Sequence, residues 1–195
     1  MERREALKLL AGVAALPLLS RDAWALFQQV HQSLPETAAL KVLDPHQNAT
    51  VVTIAELIIP QTDTPGAKAV RVNEFIDRIL AEWYTEEEKA SFLAGLAQVD
   101  TRSHDLFGKD FVDCSQTQQS QILTELDDGL AEMRTQDRTR WRHQPAREQP
   151  FFYRMKQLTL VGYYTSEIGF EQELHESIIP PQHAGCAPLE EEAGH

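Results

Sequence analysis

The sequence predicts an all-α protein: a small, irregular helical domain behind an N-terminal signal segment and ahead of an extended C-terminal tail. Two observations lead to this prediction. Apolar residues recur at spacings of three and four along most of the chain, and no convincing run alternates as a β-strand would. Helix-capping patterns stand at the starts of several of these periodic segments.

Length and composition fit one soluble globular domain. The chain has 195 residues, of which 42% are hydrophobic and 25% charged, ordinary values for such a protein. The formal net charge of -12 argues against nucleic acid or an anionic membrane as a partner of the whole surface. After residue 25, no segment approaches the roughly 20 consecutive apolar residues that a membrane-spanning helix needs.

Residues 1–25 are predicted to be a twin-arginine-type signal peptide. Arg3 and Arg4 are followed at the characteristic spacing by Leu7 and Lys8, and residues 9–19 form a short apolar stretch. Signal peptidase accepts small residues at the two positions that Ala23 and Ala25 occupy, so we expect cleavage before Leu26. A general secretory signal and an ordinary buried N-terminal helix are the alternatives.

Residues 26–195 then form the single helical domain. Asp44-Pro45-His46-Gln47 predicts a capped helix that ends at Pro60, and Pro65-Gly66 suits the centre of a type II turn. A second apolar stripe runs from Val72 to Trp83. Capping patterns at 85–88 and 115–118 open two further helices. Residues 134–150 are predicted to be irregular, a last helix from 151 ends near 166–169, and an irregular tail begins at about 178.

The two cysteines, Cys114 and Cys186, are expected to be paired with something in an oxidising compartment. A bridge between them would close a loop of about 70 residues, worth roughly 4 kcal/mol in the chain-entropy model. Either cysteine could instead bridge to another chain, and the sequence does not decide between these pairings.

The sequence contains no recognisable catalytic, cofactor-binding or metal-binding motif. It lacks a glycine-rich dinucleotide fingerprint, a Cys-x-x-Cys-His haem attachment motif and a grouping typical of a nucleophilic triad. The seven histidines show no metal-ligand spacing. His175, His183 and Cys186 lie close together in sequence, but they are better explained as loop residues or partner contacts.

Two sets of residues are candidates for a partner interface. The segment RTQDRTRWRHQPAR (134–147) contains five arginines and Trp141, and arginine and tryptophan are enriched in protein interfaces. A solvated basic loop is the alternative. The second set contains aromatic residues at predicted helix ends, which fit either the core or a companion subunit: Trp83, Tyr84, Tyr163, Tyr164 and Phe170.

Several segments give the chain a recognisable likeness. LIIPQTDTPGAKAVRVNEFIDRILAEWY (57–84), FFYRMKQLTLVGYYTSEIGFEQELHE (151–176) and the later GCAPLEEE resemble the gluconate 2-dehydrogenase subunit 3 family. The resemblance runs from about residue 44 to residue 190. Its most specific parts are the Thr-Asp-Thr-Pro-Gly-Ala run and the Tyr-Thr-Ser-Glu-Ile-Gly run.

The resemblance implies a non-catalytic small subunit of a periplasmic dehydrogenase complex associated with the inner membrane through its partners. A large FAD-dependent subunit of the glucose-methanol-choline (GMC) oxidoreductase type would oxidise a sugar, sugar acid or alcohol, and a cytochrome c subunit would carry the electrons away. The small subunit would hold no cofactor, would stabilise the flavoprotein, and would supply the signal that the twin-arginine translocase reads. A self-standing exported helical module that binds a small ligand is the alternative function.

Overall fold

The computed structural model describes residues 39–136 and 149–176, and these residues confirm the all-α prediction. Five α-helices follow one another within this part of the chain: α1 Pro45–Ile58, α2 Val72–Glu82, α3 Glu86–Phe107, α4 Gln116–Gln136 and α5 Phe151–Tyr164. A 3₁₀ turn, Phe111–Asp113, separates α3 from α4, and a π-helix, Ile168–Glu173, follows α5. The described part contains neither a β-strand nor a helix that is long and apolar enough to cross a bilayer.

Local capping explains where three of the helices begin. The Asp44 carboxylate accepts the Gln47 N–H, while the Gln47 side chain accepts the Asp44 N–H. Thr85 and Glu88 form the same reciprocal arrangement ahead of α3. Ser115 and Gln118 repeat it ahead of α4, at 3.0 and 3.4 Å. Each pair satisfies backbone donors that the first turn of a helix leaves without partners, which confirms the three predicted starts.

Helix α5 packs against each of the other four α-helices and lies at the centre of the core. The buried apolar side chains come from every helix: Val51, Ile54 and Ala55 of α1, Val72, Phe75, Ile76, Ile79 and Leu80 of α2, Phe92, Leu96 and Val99 of α3, Ile122, Leu123 and Leu130 of α4, and Phe152, Met155, Leu158 and Tyr163 of α5. The periodic stripes of the sequence therefore face one shared interior.

A buried carboxylate fixes the segment that enters α1. Asp77 of α2 is 3% exposed and accepts hydrogen bonds from the backbone N–H groups of Lys41, Val42 and Leu43 at 2.7–2.9 Å. Hydrogen bonds to a charged group are stronger than those between neutral groups. Asp77 therefore ties the start of the described chain to the middle of α2.

Two local predictions were wrong. Helix α4 continues to Gln136, so the irregular connection does not begin at residue 134. Pro65-Gly66 is not a type II turn, because Gly66 lacks the positive φ that this turn requires and the Ala67 N–H bonds to the Ile59 carbonyl. The signal segment, most of the arginine-rich segment and the tail from about 178 lie outside the described residues.

Candidate partner-binding surface

The loop at residues 60–66 is held against the body of the protein by Glu56 of α1. One carboxylate oxygen of Glu56 accepts the Gln61 N–H, the other accepts the Lys68 N–H, and both distances are 2.9 Å. A Cβ atom at Gly66 would lie 2.5 Å from this carboxylate. It would also lie 2.6 Å from the Gln61 backbone nitrogen, so Gly66 is required by the close approach of this backbone and of the Glu56 carboxylate, which holds both ends of the loop.

Two side chains connect the same loop to the C-terminal part of the described chain. The Tyr163 hydroxyl donates to the Pro65 carbonyl at 2.7 Å, and the Thr64 hydroxyl donates to the Glu173 carboxylate at 2.6 Å. The Thr-Asp-Thr-Pro-Gly-Ala run is therefore in direct contact with residues that flank the Tyr-Thr-Ser-Glu-Ile-Gly run on both sides, about 100 residues further along the chain. We call this region, formed by residues 60–66 and 163–174, the loop end.

The π-helix at the loop end depends on a close backbone contact. The Leu174 N–H bonds to the Gly169 carbonyl five residues earlier, as the wide π turn requires. A Cβ atom at Gly169 would lie 2.0 Å from the Tyr163 carbonyl oxygen. The Ser166 hydroxyl bridges the same carbonyl and the Gly169 N–H, at 2.6 and 3.1 Å. Short π-helical turns occur frequently at functional sites.

The exposed surface of the loop end is acidic. Asp63, Glu167 and Glu171 are exposed, and Glu173 is partly exposed. Neither residues 60–66 nor residues 163–174 contain a lysine or an arginine. A basic region on another protein would complement this surface in charge.

A second candidate surface lies at the other end of the α2–α5 pair. Gly162 in the last turn of α5 lies against Val72 and Phe75 near the start of α2, so the two helices run in opposite directions. Trp83 follows the last residue of α2 and is 50% exposed. A span of 11 residues along α2, about 16 Å, therefore separates Trp83 from the loop end.

Tyr84 follows Trp83 in the chain and lies close enough to Arg154 for the two groups to interact electrostatically, and together the three residues form what we call the tryptophan end. Burial raises the pKa of Tyr84, and burial also lowers the pKa of Arg154. The Arg154 guanidinium is 2% exposed and donates to the Glu88 carbonyl and the Ser91 hydroxyl. Its side chain also lies over the Phe92 ring, with 5.8 Å to the centroid. The tryptophan end thus combines a half-exposed aromatic side chain, Trp83, with a buried guanidinium group, Arg154, that is held by hydrogen bonds.

The family model described as gluconate 2-dehydrogenase subunit 3 matches residues 45–180. The chain belongs to this family. The match confirms the resemblance and contains both the loop end and the tryptophan end. No curated protein and no solved structure matches the chain.

The family to which the chain belongs is one of dehydrogenase subunits. The structure of the chain shows where the predicted interface residues lie. Tyr164 and Phe170 are partly exposed at the loop end, whereas Trp83 and Tyr84 lie at the tryptophan end. Tyr163 is fully buried and its hydroxyl donates to the Pro65 carbonyl, which favours the core over a companion subunit for this residue. Trp141 lies outside the described residues.

Of the remaining predicted residues, one lies within the described part of the chain and the others lie outside it. Cys114 is buried, has no disulfide partner among the residues that the structure describes, and places its sulfur 3.0 Å from the Ser103 hydroxyl oxygen. Cys186 lies outside the described residues, so the pairing of the two cysteines stays a prediction. The export residues Arg3, Arg4, Leu7 and Lys8, and the cleavage residues Ala23 and Ala25, also lie outside that part and outside the family match.

Sequence reasoning missed the roles of Glu56, Gly66 and Glu173. Glu56 resembles any solvated carboxylate on a helix, and its contacts with the loop depend on how the chain turns after α1. Gly66 did indicate an unusual backbone position in the loop. A glycine is needed either for a positive φ or for a close approach of other atoms, and the sequence does not distinguish the two.

Proposed function

We propose that this chain is the non-catalytic small subunit of a periplasmic, membrane-associated dehydrogenase complex. It binds an FAD-dependent catalytic subunit of the GMC type, stabilises it, and supplies the twin-arginine signal with which the pair is exported. The observation that carries the proposal is the family match over residues 45–180. A cytochrome c subunit completes the complex and accepts its electrons.

The two surfaces described above have the properties that this role needs. Exposed tryptophan is the side chain most typical of interface hot spots, and Trp83 provides one beside well-fixed neighbours. The acidic loop end contributes charge complementarity, which steers association and selects the partner. Long-lived subunits commonly bury more than about 2,000 Å² in total, so both ends are expected to contribute.

The physical reason for joint export lies in the cofactor. A flavoprotein binds FAD while it folds in the cytoplasm, so it has to cross the membrane in a folded state. A partner that binds only the folded form stabilises it by mass action. If the flavoprotein has no signal of its own, the arginine pair of this chain then serves both proteins.

Replacement of Arg3 and Arg4 by lysine tests the export role. We expect the dehydrogenase activity and both chains to disappear from the periplasmic fraction, because the pair Arg3-Arg4 is what the translocase recognises. The matched control is Arg21→Lys, which changes another arginine of the same segment. Undiminished periplasmic activity in the double variant contradicts the proposal.

Purification of the chain from its native cell distinguishes the two candidate functions. Isolation of the tagged chain from its native cell is expected to yield a yellow or red complex, because flavin and haem absorb visible light. A colourless chain that is isolated alone and binds a small molecule favours the exported ligand-binding module.

A further inference from the structure

Three elements distant in sequence bring metal-binding side chains together on the side of the fold formed by α1 and α3. His46 lies in the first turn of α1, Asp100 in the middle of α3, and Asp110 just before the 3₁₀ turn. One ligand atom from each of these residues lies within 4.8 Å of the other two. The closest pair is the His46 Nε2 atom and an Asp100 oxygen, 2.8 Å apart.

Asp100 and Asp110 are each oriented by a neighbour, and His46 lies on a turn whose backbone is fixed. The second Asp100 oxygen accepts the Phe111 N–H at 3.0 Å. Asp110 pairs through one oxygen with the His104 ring at 2.6 Å. The capping box formed by Asp44 and Gln47 fixes the turn that carries His46. Outer contacts of this kind hold ligands in place at protein metal sites.

We propose that His46, Asp100 and Asp110 bind a divalent transition-metal ion of the Zn²⁺ type, with His104 orienting Asp110. One imidazole and two carboxylates are ligands that Zn²⁺ accepts, and water completes the coordination. The ion would tie the start of α1 to α3 and to the 3₁₀ turn. This inference does not depend on the proposed function.

The ligand atoms would have to move to bind such an ion: His46 and Asp100 are too close together, and the Asp110 oxygen, within 4.8 Å of the other two atoms, would have to approach where it lies farther away than tetrahedral ligands do. Tetrahedral ligands about 2.0 Å from Zn²⁺ are about 3.3 Å from each other, so the His46 ring would have to withdraw from Asp100 by about 0.5 Å. The His46 side chain is 45% exposed and has room to move, whereas the Asp100 side chain is 19% exposed and held by Phe111. Of these two ligands, the more accessible is thus the one that would adjust.

Calorimetric titration of the untagged full-length chain with Zn²⁺, after removal of bound metal by a chelator, tests the proposal. The comparison includes His46→Gln, Asp110→Asn and the control Asp105→Asn, which changes an exposed carboxylate of α3 outside the group. Circular dichroism verifies that each variant is folded, and His46→Gln is the mildest because the side chain is half exposed. Mg²⁺ serves as the control ion.

We expect one Zn²⁺ site that loses at least tenfold in affinity in both His46→Gln and Asp110→Asn and is unchanged in Asp105→Asn. Mg²⁺ is expected to bind at least tenfold more weakly, because it does not favour imidazole. Absence of Zn²⁺ binding, or a loss smaller than tenfold in either variant, overturns the proposal. In the second case the ion is held by other residues of the chain.

Discussion

The two ends of the α2–α5 pair use aromatic side chains in opposite ways. At the loop end, Tyr163 is fully buried and its hydroxyl holds the Pro65 carbonyl. At the tryptophan end, Trp83 is half exposed where α2 stops. Both residues stand at helix ends in the sequence, and only the fold separates them. An aromatic residue at a helix end is therefore structural or available for binding according to what the next segment of chain covers.

The largest effect is expected from Tyr163→Ala. The substitution removes a buried ring and its hydrogen bond to Pro65, so the free energy of unfolding should fall by about 3–5 kcal/mol. Urea denaturation measures this change, and Tyr163→Phe serves as the matched control with a loss of about 1 kcal/mol. A loss below 1 kcal/mol in Tyr163→Ala would contradict the structural role of Tyr163, and the two ends would then not differ in how they use their aromatic side chains.

The next effect concerns the π-helix. Gly169→Ala places a Cβ atom against the Tyr163 carbonyl and should lower the free energy of unfolding by about 2 kcal/mol or more, because backbone has to shift. Gly129→Ala in α4 is the control: a Cβ atom there meets nothing within 4 Å, and it should stabilise the helix by up to about 1 kcal/mol. Equal effects of the two substitutions in thermal denaturation would contradict the structure.

Trp83→Ala should lower the free energy of unfolding by only about 1 kcal/mol, much less than Tyr163→Ala, because half of the side chain is exposed. Its effect should appear in the complex, as at least a tenfold loss of affinity for the catalytic subunit in a titration with purified partner. Leu174→Ala, which changes an exposed apolar residue next to the π-helix, measures the contribution of the loop end to the same affinity. Unaltered affinity in Trp83→Ala would exclude the tryptophan end from the interface.

A smaller effect is expected in the dependence of stability on pH. Burial raises the pKa of Tyr84 in the folded chain above its unfolded value of about 10. The folded state then holds the proton more tightly, so this contribution is complete below about pH 10 and is lost as pH rises through the folded pKa. Urea denaturation at pH 8 and pH 10.5 should show a smaller decrease for Tyr84→Phe than for the unchanged chain. Equal decreases would contradict this role of Tyr84.

Local features of this fold were predictable, and distant contacts were not. The capping boxes at Asp44 and Thr85 each lie within four consecutive residues, so the sequence displays them completely. The bond from Tyr163 to Pro65 joins residues 98 positions apart and depends on how α5 packs against α2. Trp83 continues the apolar stripe of α2, and its exposure follows because the core ends one turn earlier.

The candidate sites show the same limit. His46 and Asp100 are 54 positions apart, so no motif spacing could have revealed them. The family resemblance, in contrast, rested on longer segments that include 57–84 and 151–176, and these two segments are in contact through the hydrogen bonds from Tyr163 to Pro65 and from Thr64 to Glu173. Sequence alone thus identified the segments that meet at the loop end, but not the Glu56 clamp that holds the loop in place.

Purification of the tagged chain from its native cell, followed by identification of every co-purifying chain and an absorbance spectrum, tests the central claim most directly. The account predicts a stable complex with an FAD-containing dehydrogenase, with flavin absorbance and substrate oxidation that both remain with the partner when the subunits are separated. Turnover of substrate by this chain alone, or its isolation without any flavoprotein, would contradict the account.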